Sequence, residues 1–192
     1  MSQAIVIPPH PVTLPTSKRT IIFRKVTAED LTALEMGGMF THFRRVYARA
    51  LVEQQQGLRL LLIAESANVV VGRIFTLFRS SDKRIADGKE RAYLYSFFVH
   101  PDYRYEGLGT LMMQYIESLL QARGIAYVTL AVAKDNEGAL RLYKRLHYTI
   151  LRESPGQWDY IDHEGKRQQV HEPCYILGKQ LSGSKQTSFS FY

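Results

Sequence analysis

The chain has 192 residues, of which 45% are hydrophobic and 22% are charged, and these values are typical of a single globular domain with a sizeable core. No apolar run reaches the length of a membrane span and no charged-then-apolar leader opens the chain, so we expect a cytoplasmic protein that makes no use of a membrane. The single cysteine, Cys174, excludes a disulfide framework and a cysteine-based metal site, and no metal is predicted.

The formal charge of +7 raises the question of nucleic-acid binding. The basic residues are scattered along the chain, and no zinc-finger, helix-turn-helix or RNA-binding signature accompanies them. We therefore expect no nucleic-acid partner, and a basic nucleic-acid-binding domain is the third-ranked interpretation of the chain.

The first half of the chain predicts an arm followed by strands and helical segments. Residues 1–17 contain four of the seven prolines and no Asp, Glu, Lys or Arg, which is typical of an extended arm. The next segments are a strand at 20–26, a capped helix start at 27–30, helical spacing that is interrupted at 37–38 and ends near 54–57, and strands at 58–65 and 69–78.

The second half alternates strands with amphipathic helices. The predicted segments are a strand at 91–99, a helix that ends at Gly124, a strand at 125–133, a helix that is capped by Asp135 or Asn136, and strands at 148–152 and 170–179 around a polar hairpin at 159–169. The whole order, β-α-α-β-β-β-α-β-α-β-β, predicts an α/β (α+β) fold with a mixed central sheet of about seven strands and about four flanking helices. Residues 18–181 would form this single domain, and the serine-rich residues 182–192 a flexible tail.

A glycine-bearing loop joins the strand at 91–99 to the helix after it. Arg104, Gly107 and Gly109 follow the spacing R-x-x-G-x-G. Glycine lets a backbone approach a ligand closely, and the free N–H groups at a helix start attract anions, so the loop predicts a phosphate or pyrophosphate site. The spacing matches neither a P-loop nor a dinucleotide fingerprint. An ordinary strand-to-helix turn is the alternative.

Two motifs in this order resemble the GCN5-related N-acetyltransferase (GNAT) family. The glycine loop is followed by a helix, a strand and then Asn136-x-x-Ala139-x-x-Leu142-Tyr143, and the similarity extends from residue 93 to about residue 150. The resemblance implies acetyl-CoA as cofactor, with its pyrophosphate on the loop. It also implies that the strands at 93–99 and 125–133 splay apart at a bulge, so that pantetheine lies between them.

The resemblance also implies roles for individual residues. Tyr143 would be the general acid beside the sulfur, although a tyrosine on a helix face is also a common core residue. Backbone N–H groups near Phe98 and Val99 would stabilise the oxyanion. Asn136 would contact the cofactor, although it also reads as a plain N-cap. The predicted cofactor-binding residues are Phe98, Val99, Arg104, Tyr105, Glu106, Gly107, Leu108, Gly109, Thr110 and Asn136.

The sequence does not identify a single residue as the general base. Many relatives place a Glu or His on the strand before the loop, where this chain has Tyr93 and Tyr95, which we predict to lie on the substrate side. The protein N-terminal acetyltransferases carry a Glu at the position of Ala131. The remaining candidates for the base are Glu65, His100 and Glu172.

The predicted function is an acetyl-CoA-dependent N-acetyltransferase that moves an acetyl group directly to a primary amine of a small molecule or a protein. A non-catalytic acyl-CoA-binding module is the alternative, followed by a protein N-terminal or lysine acetyltransferase. Homodimers are common in the resembled family. Its acceptor side is lined by the first helices, so four side chains could border the acceptor or pack into the core: Phe40, His42, Phe43 and Tyr47.

Overall fold

The computed structural model describes residues 9–181 as one eight-stranded mixed sheet with helices on both faces and a separate two-stranded hairpin. The strands are β1 (His10–Thr13), β2 (Thr20–Lys25), β3 (Arg59–Ser66), β4 (Val69–Leu77), β5 (Arg91–Val99), β6 (Tyr127–Ala133), β7 (Thr149–Ser154), β8 (Gln157–Ile161), β9 (Arg167–His171) and β10 (Cys174–Gln180). The helices are α1 (Arg44–Gln55), α2 (Leu108–Ala122) and α3 (Glu137–Arg145), with short 3-10 turns at Ala28–Asp30, Ala33–Glu35, Thr41–Phe43 and Pro101–Tyr103.

The strand order of the large sheet is β1-β2-β3-β4-β5-β6-β10-β7. Every neighbouring pair is antiparallel except β5 and β6, which are parallel. The predicted fold class is therefore confirmed. None of the helices within residues 9–181 has the length and hydropathy that crossing a bilayer requires.

Two hydrophobic cores form because the central strands are buried on both faces. In β3, Leu60 and Leu62 pack toward α2 and α3, whereas Leu61 and Ile63 pack toward α1. This alternation follows from the twofold side-chain period of a strand, and a continuous apolar run is what burial on both faces requires.

The region between β2 and α1 differs from the prediction. The capping box of Thr27 and Asp30 is present, but it opens a 3-10 turn, not an α-helix. Met36, with φ of 50°, and Gly37, with φ of 67°, adopt the left-handed conformation, which ends helical structure before a full helix can form. The predicted helix after residue 27 is therefore wrong, and this region contains a single α-helix, α1.

The final strands also differ in their bounds. The predicted strand at 170–179 is interrupted at Pro173, which cannot donate a ladder hydrogen bond, so β9 ends at His171 and β10 begins at Cys174. The polar hairpin is a real two-stranded ladder, in which Gln157 pairs with His171 and Ile161 pairs with Arg167.

Part of the segment predicted as an arm packs onto the sheet. His10–Thr13 pairs with β2 along the sheet edge, and the side chain of Leu14 is fully buried in the core beside α2. Residues 1–8, and the predicted tail at 182–192, lie outside the described residues.

Substitution of Leu14 by Ala is expected to lower the free energy of unfolding by about 2–5 kcal/mol, because the change leaves a cavity in a closed core. Urea titration followed by circular dichroism measures the change. Val69→Ala is the matched control: its side chain is 60% exposed, so its effect should stay within about 0.5 kcal/mol. Equal effects of the two substitutions would mean that the N-terminal segment does not pack as described.

Candidate active site

The two parallel strands at the centre of the sheet pair over only part of their length. The ladder runs from Arg91 opposite Tyr127 to Leu94 opposite Leu130. Beyond this ladder, β5 continues to Val99 and β6 continues to Ala133, but the two strands no longer pair with each other, so a gap opens between them. The predicted splaying of these strands is confirmed.

A β-bulge in β5 accompanies the gap. Against β4, Tyr95 faces Phe75 and Phe98 faces Arg73, so β5 advances by one residue more than β4 between these pairs. Ser96 lies within this step in the left-handed conformation, with φ of 52°. An extra residue bends the bulged strand and increases its twist. The bulge therefore turns the end of β5 away from β6.

The bulge leaves backbone donors directed into the gap. The N–H of His100 donates to the carbonyl of Val71 at 2.8 Å. Since hydrogen-bonded and non-bonded pairs alternate in an antiparallel ladder, the N–H of Phe98 belongs to the ladder with β4 and the N–H of Val99 points away from it. Val99 is thus the better placed of the two predicted oxyanion donors.

A cavity of about 240 Å³ occupies the gap. It is lined by residues of β4, β5, β6, α2 and α3, by the N-cap of α3 and by the connection between β9 and β10. The lining residues with polar or aromatic side chains are Tyr95, Ser96, Phe97, Asn136, Tyr143 and Glu172.

Tyr143 is held at this cavity by aromatic packing. Its side chain is 5% exposed, and its ring lies 6.3 Å from Phe97 and 5.8 Å from Tyr148. No described residue is in hydrogen-bond geometry with its hydroxyl group. Burial raises the pKa of Tyr143 well above its usual value, so the phenol keeps its proton at neutral pH. A protonated hydroxyl at the cavity wall is the state that a general acid needs.

The glycine loop presents free backbone donors at the start of α2. Gly107 precedes the helix with φ of 90°, which only glycine adopts without strain. The N–H groups of Leu108, Gly109 and Thr110 have no backbone acceptor within residues 9–181. A helix N-terminus of this kind binds anions through its N–H groups and its dipole.

The side chains of the loop have separate tasks. Arg104 donates to the carbonyl of Val99 at 3.0 Å, so it holds the end of β5. Tyr105 is fully exposed with φ of 63°, and Glu106 accepts a hydrogen bond from Ser17 at 2.8 Å. A Cβ on Gly109 would meet Leu142 at 3.4 Å, so this position also has little room.

The N-terminal segment packs against this loop, which the sequence interpretation missed. A Cβ on Gly107 would lie 3.3 Å from Pro15, and Arg19 lies 3.8 Å from the carboxylate of Glu106. The Arg19 guanidinium partly offsets the negative charge of Glu106 beside the free N–H groups at the start of α2.

Asn136 is the N-cap of α3 and also lies at the cavity where a cofactor contact is predicted. Its side-chain oxygen accepts the N–H of Ala139 at 3.1 Å, which makes it the N-cap of α3, and the same residue lines the cavity.

The structure separates the three candidates for the general base. Arg24 donates to Glu65 at 3.0 Å, on the β2–β3 side of the sheet and outside the cavity lining. His100 accepts the N–H of Asp102 at 3.4 Å as the cap of a 3-10 turn, and is not part of the lining either. Glu172 lines the cavity with Tyr143.

Close backbone packing places Glu172 at the cavity. Its N–H donates to the carbonyl of Gly156 at 3.1 Å. A Cβ on Gly156 would lie only 1.8 Å from the Glu172 carbonyl oxygen, so this approach requires glycine.

Tyr93 and Tyr95 stack with ring centroids 6.2 Å apart. Burial raises the pKa of Tyr93 to about 12, with smaller contributions from Cys174, Tyr95 and, last, Glu172. The hydroxyl of Tyr95 accepts a hydrogen bond from Arg59 at 2.5 Å, so it is already engaged. Of the two predicted substrate-side tyrosines, Tyr95 lines the cavity and Tyr93 does not.

The predicted acceptor-side aromatics divide into core and surface residues. Tyr47 is 2% exposed and belongs to the core under α1. Phe43 packs with its ring centroid 4.7 Å from Tyr160 of the β8–β9 hairpin, next to half-exposed Trp158. Phe40 packs edge-on against Phe98, and His42 packs against Phe43.

These features together suit a thioester of coenzyme A: free helix N-terminal donors for a pyrophosphate, unpaired strand edges for an amide-bearing arm, and a protonated phenol at the end of the gap. Comparison with known proteins gives the same family, because the model of the Acetyltransferase (GNAT) family matches residues 28–148. The chain belongs to the GNAT acetyltransferase family.

Curated relatives of this chain include acetyltransferases of Sodalis glossinidius and Pectobacterium atrosepticum. An acetyltransferase of Sodalis glossinidius is 36% identical over 91 residues, which are 47% of this chain and 58% of that protein. An acetyltransferase of Pectobacterium atrosepticum is 32% identical over 92 residues, 48% of this chain and 59% of that protein. This GNAT chain thus spans less than two thirds of the length of the curated relatives that it matches.

Solved GNAT structures have the same fold. The ribosomal-protein-S18-alanine N-acetyltransferase of Escherichia coli superposes with a TM-score of 0.64 at 19% identity, covering 89% of this chain and 99% of that one. The PaiA N-acetyltransferase of Thermoplasma acidophilum in complex with coenzyme A superposes with a TM-score of 0.62 at 18% identity, covering 83% of this chain and 98% of that one. The YncA protein of Salmonella typhimurium with acetyl-CoA superposes with a TM-score of 0.62 at 17% identity, covering 88% of this chain and 99% of that one.

Proposed function

We propose that this GNAT protein is an acetyl-CoA-dependent N-acetyltransferase that moves an acetyl group directly from the thioester to a primary amine. The observation that carries the proposal is the buried hydroxyl of Tyr143 at the cavity between the splayed strands, which has no hydrogen-bond partner within residues 9–181 and whose pKa burial raises. Glu172, on the same cavity, adds a carboxylate that can accept a proton. Solved family members with coenzyme A or acetyl-CoA support the choice of cofactor.

Backbone groups would hold the cofactor. The pyrophosphate would lie against the N–H groups of Leu108, Gly109 and Thr110, while the exposed edge of β5, including the N–H of Val99, would pair with the pantetheine arm. When bound, acetyl-CoA supplies an acetyl group activated as a thioester. The residues of this chain then need only to orient it, to stabilise negative charge and to move protons.

Each proton has an assigned carrier in this mechanism. Glu172, directly or through water beside Tyr93, accepts a proton from the ammonium form of the acceptor. The neutral amine nitrogen would then form its bond to the acetyl carbon while the carbon–sulfur bond breaks and Tyr143 donates its proton to the leaving sulfur. The nitrogen, positively charged after attack, would lose its second proton through water to the Tyr143 oxygen, and Glu172 would release its own proton to solvent.

A protein N-terminus is the second candidate acceptor. The partly exposed aromatic surface of Phe43, Trp158 and Tyr160 would suit an amine that carries an apolar or peptide group. The S18-alanine N-acetyltransferase among the structural neighbours acts on a protein amine, as its name states.

The first experiment is calorimetric titration of acetyl-CoA, with desulfo-CoA and dephospho-CoA alongside, into wild type and Gly107→Trp. We expect the substitution to weaken binding at least about 30-fold, or about 2 kcal/mol, because any side chain at φ of 90° collides with Pro15 and displaces the loop donors. Gly124→Trp is the matched control: it imposes similar strain at φ of 83°, but open space surrounds it at the far end of α2.

Lack of binding by wild type, or equal loss in both variants, would contradict the proposed cofactor site. A turnover assay then separates an enzyme from a binding module. It measures free coenzyme A by chromatography with an arylalkylamine, spermidine, phenylalanine and a peptide with a free N-terminus. Binding without any turnover would favour the non-catalytic module.

A further inference from the structure

A buried arginine lies behind the β5 bulge without a carboxylate partner. Arg73 is 3% exposed, and no carboxylate within residues 9–181 forms an ion pair with it. Its Nη1 donates to the Leu34 carbonyl at 3.1 Å and its Nε donates to the hydroxyl of Ser96 at 3.1 Å. Three aromatic rings surround the guanidinium, namely Phe40, Phe98 and Tyr47.

An uncompensated charge in this position is unfavourable for folding alone. Burying a charge without an opposite charge is costly, and aromatic faces offset only part of the cost. Burial lowers the pKa of Arg73, yet a guanidinium keeps its proton at any physiological pH. The protein therefore holds a permanent positive charge just behind the acyl cavity.

Ser96 connects this charge to the cavity. Its oxygen accepts the hydrogen bond from Arg73, the residue lines the cavity with Tyr143, and the Tyr47 hydroxyl lies close to its side chain. The left-handed conformation, with φ of 52°, is strained for a non-glycine residue. Glycine would remove that strain, so the side chain at this position is not explained by backbone geometry.

The hydroxyl group of Tyr47 is a third polar group near Arg73 and Ser96. Tyr47 is 2% exposed, and its hydroxyl is buried without any hydrogen-bond partner in the described chain. Burial raises the pKa of Tyr47, and the charge of Arg73 and the side chain of Ser96 oppose that rise, so the three polar groups lie close together. Buried hydroxyls without partners are rare in folded proteins.

We propose that the Ser96 hydroxyl donates a hydrogen bond to the carbonyl oxygen of the bound thioester, and that Arg73 is the residue that positions and polarises Ser96. The inference rests on the proposed acetyl transfer. As the amine nitrogen attacks, negative charge grows on the carbonyl oxygen, and it returns to carbon when the carbon–sulfur bond breaks. Ser96 keeps its proton throughout, so the proton balance between Glu172 and Tyr143 is unchanged.

The environment of Ser96 at the β5 bulge strengthens a hydrogen bond from its hydroxyl group. A fixed donor acts more strongly where water is excluded, and the positive charge behind Ser96 favours the same developing charge. The Val99 N–H and the Ser96 hydroxyl would then form a two-donor oxyanion site at the bulge.

The kinetic test compares Ser96→Gly with wild type. Glycine suits the left-handed conformation, so the fold is preserved while the donor is lost. We expect kcat to fall about 100-fold, as for removal of one oxyanion donor, with an unchanged KM for acetyl-CoA. Ala67→Gly, at φ of 49° in the β3–β4 turn, makes the same kind of change far from the site and should leave kcat unchanged. Arg73→Met should lower kcat in the same direction, and Arg73→Lys should restore part of it.

A spectroscopic test needs no acceptor. Infrared difference spectra of acetyl-CoA labelled with carbon-13 at the carbonyl carbon report hydrogen bonding to the thioester oxygen. We expect a lower carbonyl frequency when the probe is bound to wild type than in solution, and a return toward the solution value in Ser96→Gly. An unchanged frequency and an unchanged kcat in Ser96→Gly would overturn the role of Ser96 while leaving acetyl transfer intact. Failure of wild type to bind or turn over acetyl-CoA would instead overturn the proposed function, and this inference with it.

Discussion

Tyr143→Phe is expected to lower kcat by about 100- to 1,000-fold while the Kd for acetyl-CoA changes less than about twofold. The phenyl ring preserves the packing against Phe97 and Tyr148, so the substitution removes only the hydroxyl proton. Single-turnover rates and calorimetric titration together separate the chemical step from binding.

The kcat of the wild-type protein should depend on the protonation state of Tyr143. Because burial raises the pKa of Tyr143, the acid form is retained through neutral and mildly alkaline pH, and its loss should reduce kcat only at strongly alkaline pH. Tyr143→Phe should lack that alkaline decline. Tyr175→Phe, at a half-buried tyrosine of β10 outside the cavity lining, is the control. A kcat that is unchanged in Tyr143→Phe would mean that solvent protonates the sulfur.

Glu172→Gln should have the second largest effect, a loss of about 100-fold in kcat at pH 7. An amine with a pKa near 10 is almost fully protonated at pH 7, so its proton must be removed before attack. The deficit should therefore shrink as the pH approaches 10, where the free amine is abundant and no base is needed.

The control for this experiment is Glu164→Gln, at an exposed residue of the β8–β9 connection that pairs with Lys166. It should match wild type at every pH. A deficit in Glu172→Gln that stays constant from pH 7 to pH 10 would assign Glu172 to substrate positioning and not to proton removal.

The central part of the fold follows from sequence because local patterns and burial agree there. The apolar strands β3 to β6 and the amphipathic helices α2 and α3 carry their periodicity in consecutive residues. The glycine spacing also predicts the turn that begins α2. The gap between β5 and β6, by contrast, came from the family resemblance, since neither strand contains a residue that marks where pairing stops.

Other features depend on contacts that sequence patterns do not record. Glu172 could not be chosen over Glu65 and His100, because its place at the cavity depends on the close packing of its backbone on Gly156. Arg73 reads in the sequence as a polar residue in a strand, and its burial is visible only when three aromatic rings converge on it. The segment at 27–38 follows a helical pattern that the left-handed residues at its end override.

The packing of residues 14–19 on the glycine loop has a consequence for synthesis of the chain. Ser17 and Glu106 are 89 positions apart, and Leu14 is buried against a helix that is translated later still. When the first residues leave the ribosome, their partners do not yet exist. The N-terminal segment must therefore wait until more than half of the polypeptide has emerged, and the anion-binding loop reaches its final form only after that late docking.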